Sequence, residues 1–211
     1  MNYIENIYIC LVAPILIAAF CVRRQGRTML LFVVGGMTAC LLSSYISTFL
    51  AAISGADMLM ASLTISPIVE EIIKMIPVLF FILVYDPHKG DLSASVMMTA
   101  VGFATFENVC YLAQNGAEHL SHLAIRGFGT GAMHVVCGAI IGIGIISFWD
   151  QVWLKIGGTM GLLSVTTTYH GLYNLLVAQK GTAALVGYFI PIFTTLVVVI
   201  PVRNHLSGRP V

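Results

Sequence analysis

Seven runs of about twenty predominantly apolar residues, joined by short loops, leave this chain very few ways to fold, because that is the length a helix needs to cross a bilayer. They cover residues 3–22, 29–53, 59–85, 92–114, 129–149, 156–178 and 182–202. The runs lack the alternation of a strand and are too long for barrel strands of about 10 residues. Charge agrees: ten Lys and Arg and nine Asp and Glu among 211 residues make nineteen, where a soluble domain of this size would carry roughly fifty. Disorder, collagen-like repeats and an ordinary water-soluble globule are excluded. A net charge of +1 gives no polyanion-binding signal, so nucleic acid is not expected as a partner. The expected fold is an all-α polytopic membrane protein, one domain over 1–211.

Alternate loops differ in basic residues. Arg23, Arg24, Arg27, Lys89, Lys155, Arg203 and Arg209 fall on one side, Arg126 and Lys180 on the other. The excess belongs on the cytoplasmic side, which puts the N-terminus outside and the C-terminus in the cytoplasm of a prokaryotic plasma membrane. The first span has no basic residue before it and no clear small-x-small site after it, so it does not read as a signal peptide. The longest outer connection, 115–128, holds Glu118, His119, His122 and Arg126, which read as solvated loop residues or a short interfacial helix. Cys10, Cys21, Cys40, Cys110 and Cys137 lie inside spans without CxxC pairing and read as small packing residues. Gly138 with Gly142, and Gly157 with Gly161, are spaced for close helix–helix approach.

Most charges sit in loops or at edges; Glu70, Glu71, Lys74 and Glu107 sit inside spans, as do His134 and His170. Each ionised group at the bilayer centre costs about 2.5–3.5 kcal/mol on insertion scales, so this set points to a functional site. Glu70 and Lys74 are four apart and Glu71 and Lys74 three apart, so one helix face carries all three and Lys74 can neutralise either carboxylate. Pro67 and Pro77 bracket that segment and are expected to kink it, freeing backbone groups. Phe103 shares a face with Glu107, and His170 with Asn174. At a rise of about 1.5 Å per residue, these groups fall between mid-membrane and the outer leaflet. Such a donor set could hold a divalent ion such as zinc, which keeps one position for water in catalytic sites. It could equally run metal-free acid–base hydrolysis with paired carboxylates, or carry protons or cations in a transporter.

Glu70-Glu71-x-x-Lys74, Phe103-x-x-x-Glu107, the later His134 and His170-x-x-x-Asn174 together resemble the PrsW family of intramembrane proteases. That family is a branch of the superfamily of CAAX prenyl proteases and bacteriocin-processing or immunity proteins. The resemblance covers the four middle spans, about residues 60–180, in the family's order. It implies an intramembrane metallo-endopeptidase with Glu70, Glu71, Lys74 and Asn174 as catalytic residues. It also implies Glu71, Glu107, His134 and His170 as ligands of a zinc ion. The implied substrate is a membrane-spanning or membrane-anchored protein, anti-sigma-factor-like, cut near its extracytoplasmic side. The family's last motif often ends in Asp, where this chain has Asn174. Lys74 and Glu107 depart from the EExxxR and FxxxH of the CAAX branch. No HExxH or rhomboid-like GxSG occurs, and Gly90-Asp91 lies in a loop. Two other classes remain open: a proton- or cation-coupled transporter, disfavoured by the absence of an inverted repeat, and a non-catalytic immunity or scaffold protein.

Overall fold

The computed structural model describes residues 3–85, 87–116, 120–148 and 152–200. Glu118, His119, Arg203, Arg209 and the expected span ends at Trp149 and 201–202 lie outside them. Among the described residues all regular structure is helical, in seven helices. They are α1 (Ile4–Cys21), α2 (Arg24–Ser54), α3, α4 (Lys89–Asn115), α5 (Leu120–Phe148), α6 (Val152–Val177) and α7. Helix α3 is composite: one turn at Met58–Met60, a π-helical segment at Ala61–Ile65, then Ser66–Tyr85. Helix α7 runs over Thr182–Thr194 and ends in a π-helical segment, Thr195–Val199. Four helices are long and apolar enough to cross a membrane: Ile4–Cys21, Arg24–Ser54, Gly90–Asn115 and Leu120–Ile145. The chain is an all-α polytopic membrane protein.

The sequence reading is corrected in two connections. Gly90 and Asp91, expected in a loop, lie in the first turn of α4. Residues 120–128 do not form a loop or a separate interfacial helix; they are the first turns of α5. Gly127, Gly129 and Gly131 suggest a break in a soluble context, but a helix in a bilayer satisfies its backbone internally and tolerates glycine. Arg126 is therefore carried on the same helix as His134.

Because lipid is as apolar as leucine, helices in a bilayer associate through close packing rather than through hydrophobic burial. The tightest seam joins α2 to α4, the most extensive helix pair in the molecule. A Cβ on Gly36 would stand 2.1 Å from the Thr99 carbonyl oxygen, and one on Gly102 would stand 2.0 Å from that of Val33. Glycine at both positions lets the two backbones touch. The expected Gly138 approach is present, against Ala100, and Gly142 makes ordinary contacts. Gly157 and Gly161 face open space within 4 Å, so that pair mediates no helix contact among the described residues. Cys40 and Cys137 are buried as packing groups, whereas Cys10 and Cys21 face outward from α1. Phe20, Phe80 and Leu83 are likewise exposed, in positions suited to lipid.

Candidate active site

Four helices bring the polar groups together: α3 with Glu70, Glu71 and Lys74, α4 with Glu107, α5 with His134 and Arg126, and α6 with His170 and Asn174. Their local placement begins at the π-helical turn. There the Ser66 N–H bonds to the Ala61 carbonyl, five residues back. In the same register the Ser62 carbonyl would need an N–H from residue 67, which is proline and has none. Asn174 supplies the missing donor, its Nδ2 reaching the Ser62 oxygen at 2.9 Å. Gly171 packs beneath the next carbonyl, where an added Cβ would lie 3.3 Å from the Leu63 oxygen. The expected consequence of Pro67 is thus present as a π-turn with a freed carbonyl. Asn174 acts on the backbone of α3, one helical turn from His170.

This contact explains Asn in place of Asp, since an ionised carboxylate has no proton to give a carbonyl. Asn174→Asp is expected to destabilise the protein by about 1–3 kcal/mol, the cost of an unpaired buried acceptor, and Asn174→Ala by a similar amount. Thermal unfolding in detergent checks both, with Asn174→Gln as the variant that keeps a donor.

From Asn174 the same face of α6 leads to His170. Its Nδ1 lies 2.9 Å from Glu71 Oε1, and a carboxylate can only accept. A proton of His170 therefore sits on Nδ1, which leaves Nε2 as the nitrogen that could ligate an ion. That nitrogen faces Glu70 Oε2 at 3.7 Å, and Glu70 Oε2 is buried with no hydrogen-bond partner among the described residues. Glu71 is fully engaged by contrast: its Oε1 also accepts from Lys74 Nζ at 2.6 Å, with both side chains buried.

Lys74 turns the second imidazole the other way. Its ammonium lies 3.0 Å from His134 Nδ1, which must accept, so the His134 proton is on Nε2 and is donated to Glu107 Oε2 at 2.5 Å. The other Glu107 oxygen, Oε1, stands 3.5 Å from Arg126. Arg126 also donates to Asn108 Oδ1 at 2.7 Å and lies over the Tyr111 ring at 3.6 Å. It is thus a partner of Glu107 and not a solvated loop residue. Spacing carries the signal for this: Arg126, Thr130 and His134 follow each other at intervals of four once the helix is extended past Gly127. Phe103 closes the site from below, its ring 4.5 Å from Lys74 Nζ and 4.9 Å from the His134 ring. Thr130 and Tyr173 share a hydrogen bond of 2.8 Å behind it.

Three carboxylates face two fixed cations, Lys74 and Arg126, and Glu70 is the carboxylate left over. Ligand atoms of Glu70, His134 and His170 lie within 4.8 Å of one another, a separation compatible with one shared ion. The trio contains Glu70 where the sequence reading expected Glu71 and Glu107, because each of those carboxylates is already tied to an imidazole and a cation. Glu70 Oε2, buried and without a hydrogen-bond partner among the described residues, and His170 Nε2 beside it are donors that fit a bound cation on chemical grounds.

A cleft of about 580 Å³ leads to this cluster. It starts at Ala56, Asp57 and Met58, where α3 begins, and at Gln114 near the end of α4. It reaches Glu70 and Glu107 between α2 and α3. Glu71 and both histidines stand behind its wall.

Comparison with curated proteins and with solved structures gives no match. A family model described as PrsW family intramembrane metalloprotease matches residues 25–201. The match is wider than the four motif-bearing spans and takes in α2, whose glycine seam holds α4 in place, and α7. With this extent of match, and with the family's motifs gathered into one buried cluster, the chain belongs to the PrsW family of intramembrane metalloproteases.

Proposed function

We propose that the chain is an endopeptidase that holds a divalent ion, zinc in the first instance, through Glu70, His134 and His170. Its substrate would be a membrane-spanning or membrane-anchored protein cut near the extracytoplasmic side, with anti-sigma-factor-like proteins as the leading class. The observation that carries this reading is the grouping of Glu70, His134 and His170, whose ligand atoms lie within 4.8 Å of one another, with Glu70 Oε2 3.7 Å from His170 Nε2. An ion there would act as a Lewis acid on the scissile carbonyl and make water a better nucleophile at neutral pH.

The protein's own groups do the rest. Glu71 fixes the His170 tautomer and ring plane from behind, and Glu107 does the same for His134, the usual arrangement of carboxylates outside a metal's ligands. Lys74 neutralises Glu71, so the orienting carboxylate does not compete for the ion, and it would give up His134 Nδ1, which it holds at 3.0 Å, to that ion. Glu107 is the other carboxylate at the cleft. Its Oε1, held loosely at 3.5 Å, takes the proton of the attacking water and returns it to the leaving amine. Arg126 balances the charge on Glu107. The cleft opens at the end of the bundle where α2 stops and α3 starts, which the Lys and Arg asymmetry of the loops assigns to the outside.

The test is cleavage of a tagged single-span reporter co-reconstituted in proteoliposomes, with metal content measured on the same preparation. Chelation should abolish cleavage and zinc should restore it. Glu107→Gln should retain the metal and lose about 100-fold or more in turnover, the range typical of a missing general base. Full cleavage by protein shown to be free of metal would overturn the ion and leave carboxylate catalysis alone.

A further inference from the structure

The α2 wall of the cleft carries a buried hydroxyl that the chemistry above does not use. Ser43, Ser44, Ser47, Thr48 and Ala51 line the cleft from α2, facing Ala61, Ser62 and Ser66 of α3. Side chains this small leave room for a polypeptide to lie close against the α2 backbone. In a helix, Ser and Thr hydroxyls ordinarily fold back on a carbonyl three or four residues earlier. Ser43 does so to Cys40 at 2.9 Å, Ser44 to Leu41 at 2.7 Å and Thr48 to Ser44 at 2.8 Å, as does Ser62 to Leu59 at 2.8 Å across the cleft. Ser47 does not. It is 7% exposed, and its buried Oγ has no hydrogen-bond partner among the described residues.

We infer that Ser47 is a substrate-positioning residue: its hydroxyl donates to a main-chain carbonyl of a substrate segment held extended along α2. A peptide bond in a transmembrane helix is shielded, because its carbonyl is already bonded within the helix. Cleavage requires the segment to unwind, and each freed carbonyl then needs a donor that the bilayer cannot supply. A buried hydroxyl kept out of its own helix's bonding, on a residue lining the cavity that reaches Glu70 and Glu107, meets that need once a rotation about χ1 turns it to the segment. The ligand class is therefore unwound polypeptide main chain, recognised without regard to side-chain charge. This inference rests on the protease reading of the same cleft.

The probe is a biotinylated single-span polypeptide of about 20 apolar residues with a polar outer end, co-reconstituted with the full chain. In a Glu70→Gln background, a benzoylphenylalanine at Ser44 should cross-link the probe, and one at Phe49, which is 64% exposed and outside the cleft, should not. In the active protein, Ser47→Ala should raise KM about five- to tenfold, one hydrogen bond's worth, with kcat within about twofold, the signature of lost uniform binding. Ser47→Thr, which keeps the hydroxyl, should restore KM. Equal cross-linking from both positions, or an unchanged KM in Ser47→Ala, overturns the inference. Absence of cleavage by the unmodified chain would fail the protease reading, while the cross-linking arm would still score the cleft.

Discussion

Glu70→Gln is expected to remove cleavage while leaving the fold as stable as before, and Glu71→Gln to remove both. The two carboxylates are adjacent in sequence and opposite in circumstance. Glu70 has a buried oxygen with no hydrogen-bond partner among the described residues, so in the metal-free protein the change to Gln breaks no hydrogen bond of that oxygen and should cost the fold little. It also deletes one of the three groups able to share an ion. Losing a group that merely orients a ligand typically costs 10–100-fold, so loss of a ligand should exceed about 100-fold. Glu71 holds Lys74 at 2.6 Å and His170 at 2.9 Å. Removing its charge strands a buried ammonium, and breaking such a pair costs about 3–5 kcal/mol. The double variant Glu71→Gln/Lys74→Met should recover most of that stability, because replacing both members of a buried pair is close to neutral. It should stay impaired in cleavage, since His170 loses its charged partner. Thermal unfolding in detergent and reporter cleavage, measured on all three, separate the roles. A Glu70→Gln protein that unfolds as readily as Glu71→Gln would refute the distinction.

Much of this site was legible in the sequence because charge is scarce and expensive in a bilayer. Once apolar runs are marked, Glu70, Glu71, Lys74, Glu107, His134 and His170 are the ionisable groups left inside them, and the structure gathers all six. Helical spacing also reads correctly for Lys74 on Glu71 and for His170 above Asn174. The division of labour between Glu70 and Glu71 was not legible. Both sit within reach of Lys74 along α3, and what separates them is the side from which His170 arrives on α6. One turn of α6 away from that contact, Asn174 bonds the Ser62 carbonyl inside the π-turn at Ala61–Ile65. Pro67 hinted at it, but the bond that settles the carbonyl comes from Asn174, more than a hundred residues later. Arg126 was hidden for another reason. Three glycines and polar neighbours imitate a loop, and only the bilayer's demand for satisfied backbone keeps that stretch helical. The glycine seams show the same limit: spacing singles out Gly157 and Gly161 as readily as Gly138, yet a partner helix meets only the last.

The largest effect away from the charged cluster is expected at the seam between α2 and α4. Gly36→Ala and Gly102→Ala each place a Cβ about 2 Å from a carbonyl oxygen of the facing helix, well inside any tolerated contact. The atoms in the way are backbone, so no side-chain rotation relieves them and the helices must separate. Overpacking of this kind typically costs 1–3 kcal/mol and occasionally more, and the rigid obstacle puts both variants at the upper end. Catalysis should fall further than stability. Helix α4 carries Phe103 and Glu107, while α2 carries the Ser47 wall, so separation shifts the base and the wall relative to each other. A displacement of about 1 Å can cost 100-fold in rate, and that loss should persist in the fraction that remains folded. Gly157→Ala and Gly161→Ala supply the contrast. Nothing approaches either position within 4 Å, and alanine is the better helix former by about 1 kcal/mol, so both should melt no lower than the unmodified chain and cleave normally. If Gly102→Ala behaved like Gly161→Ala, the close seam between α2 and α4 would be wrong, and with it the route by which α2 positions the catalytic helix.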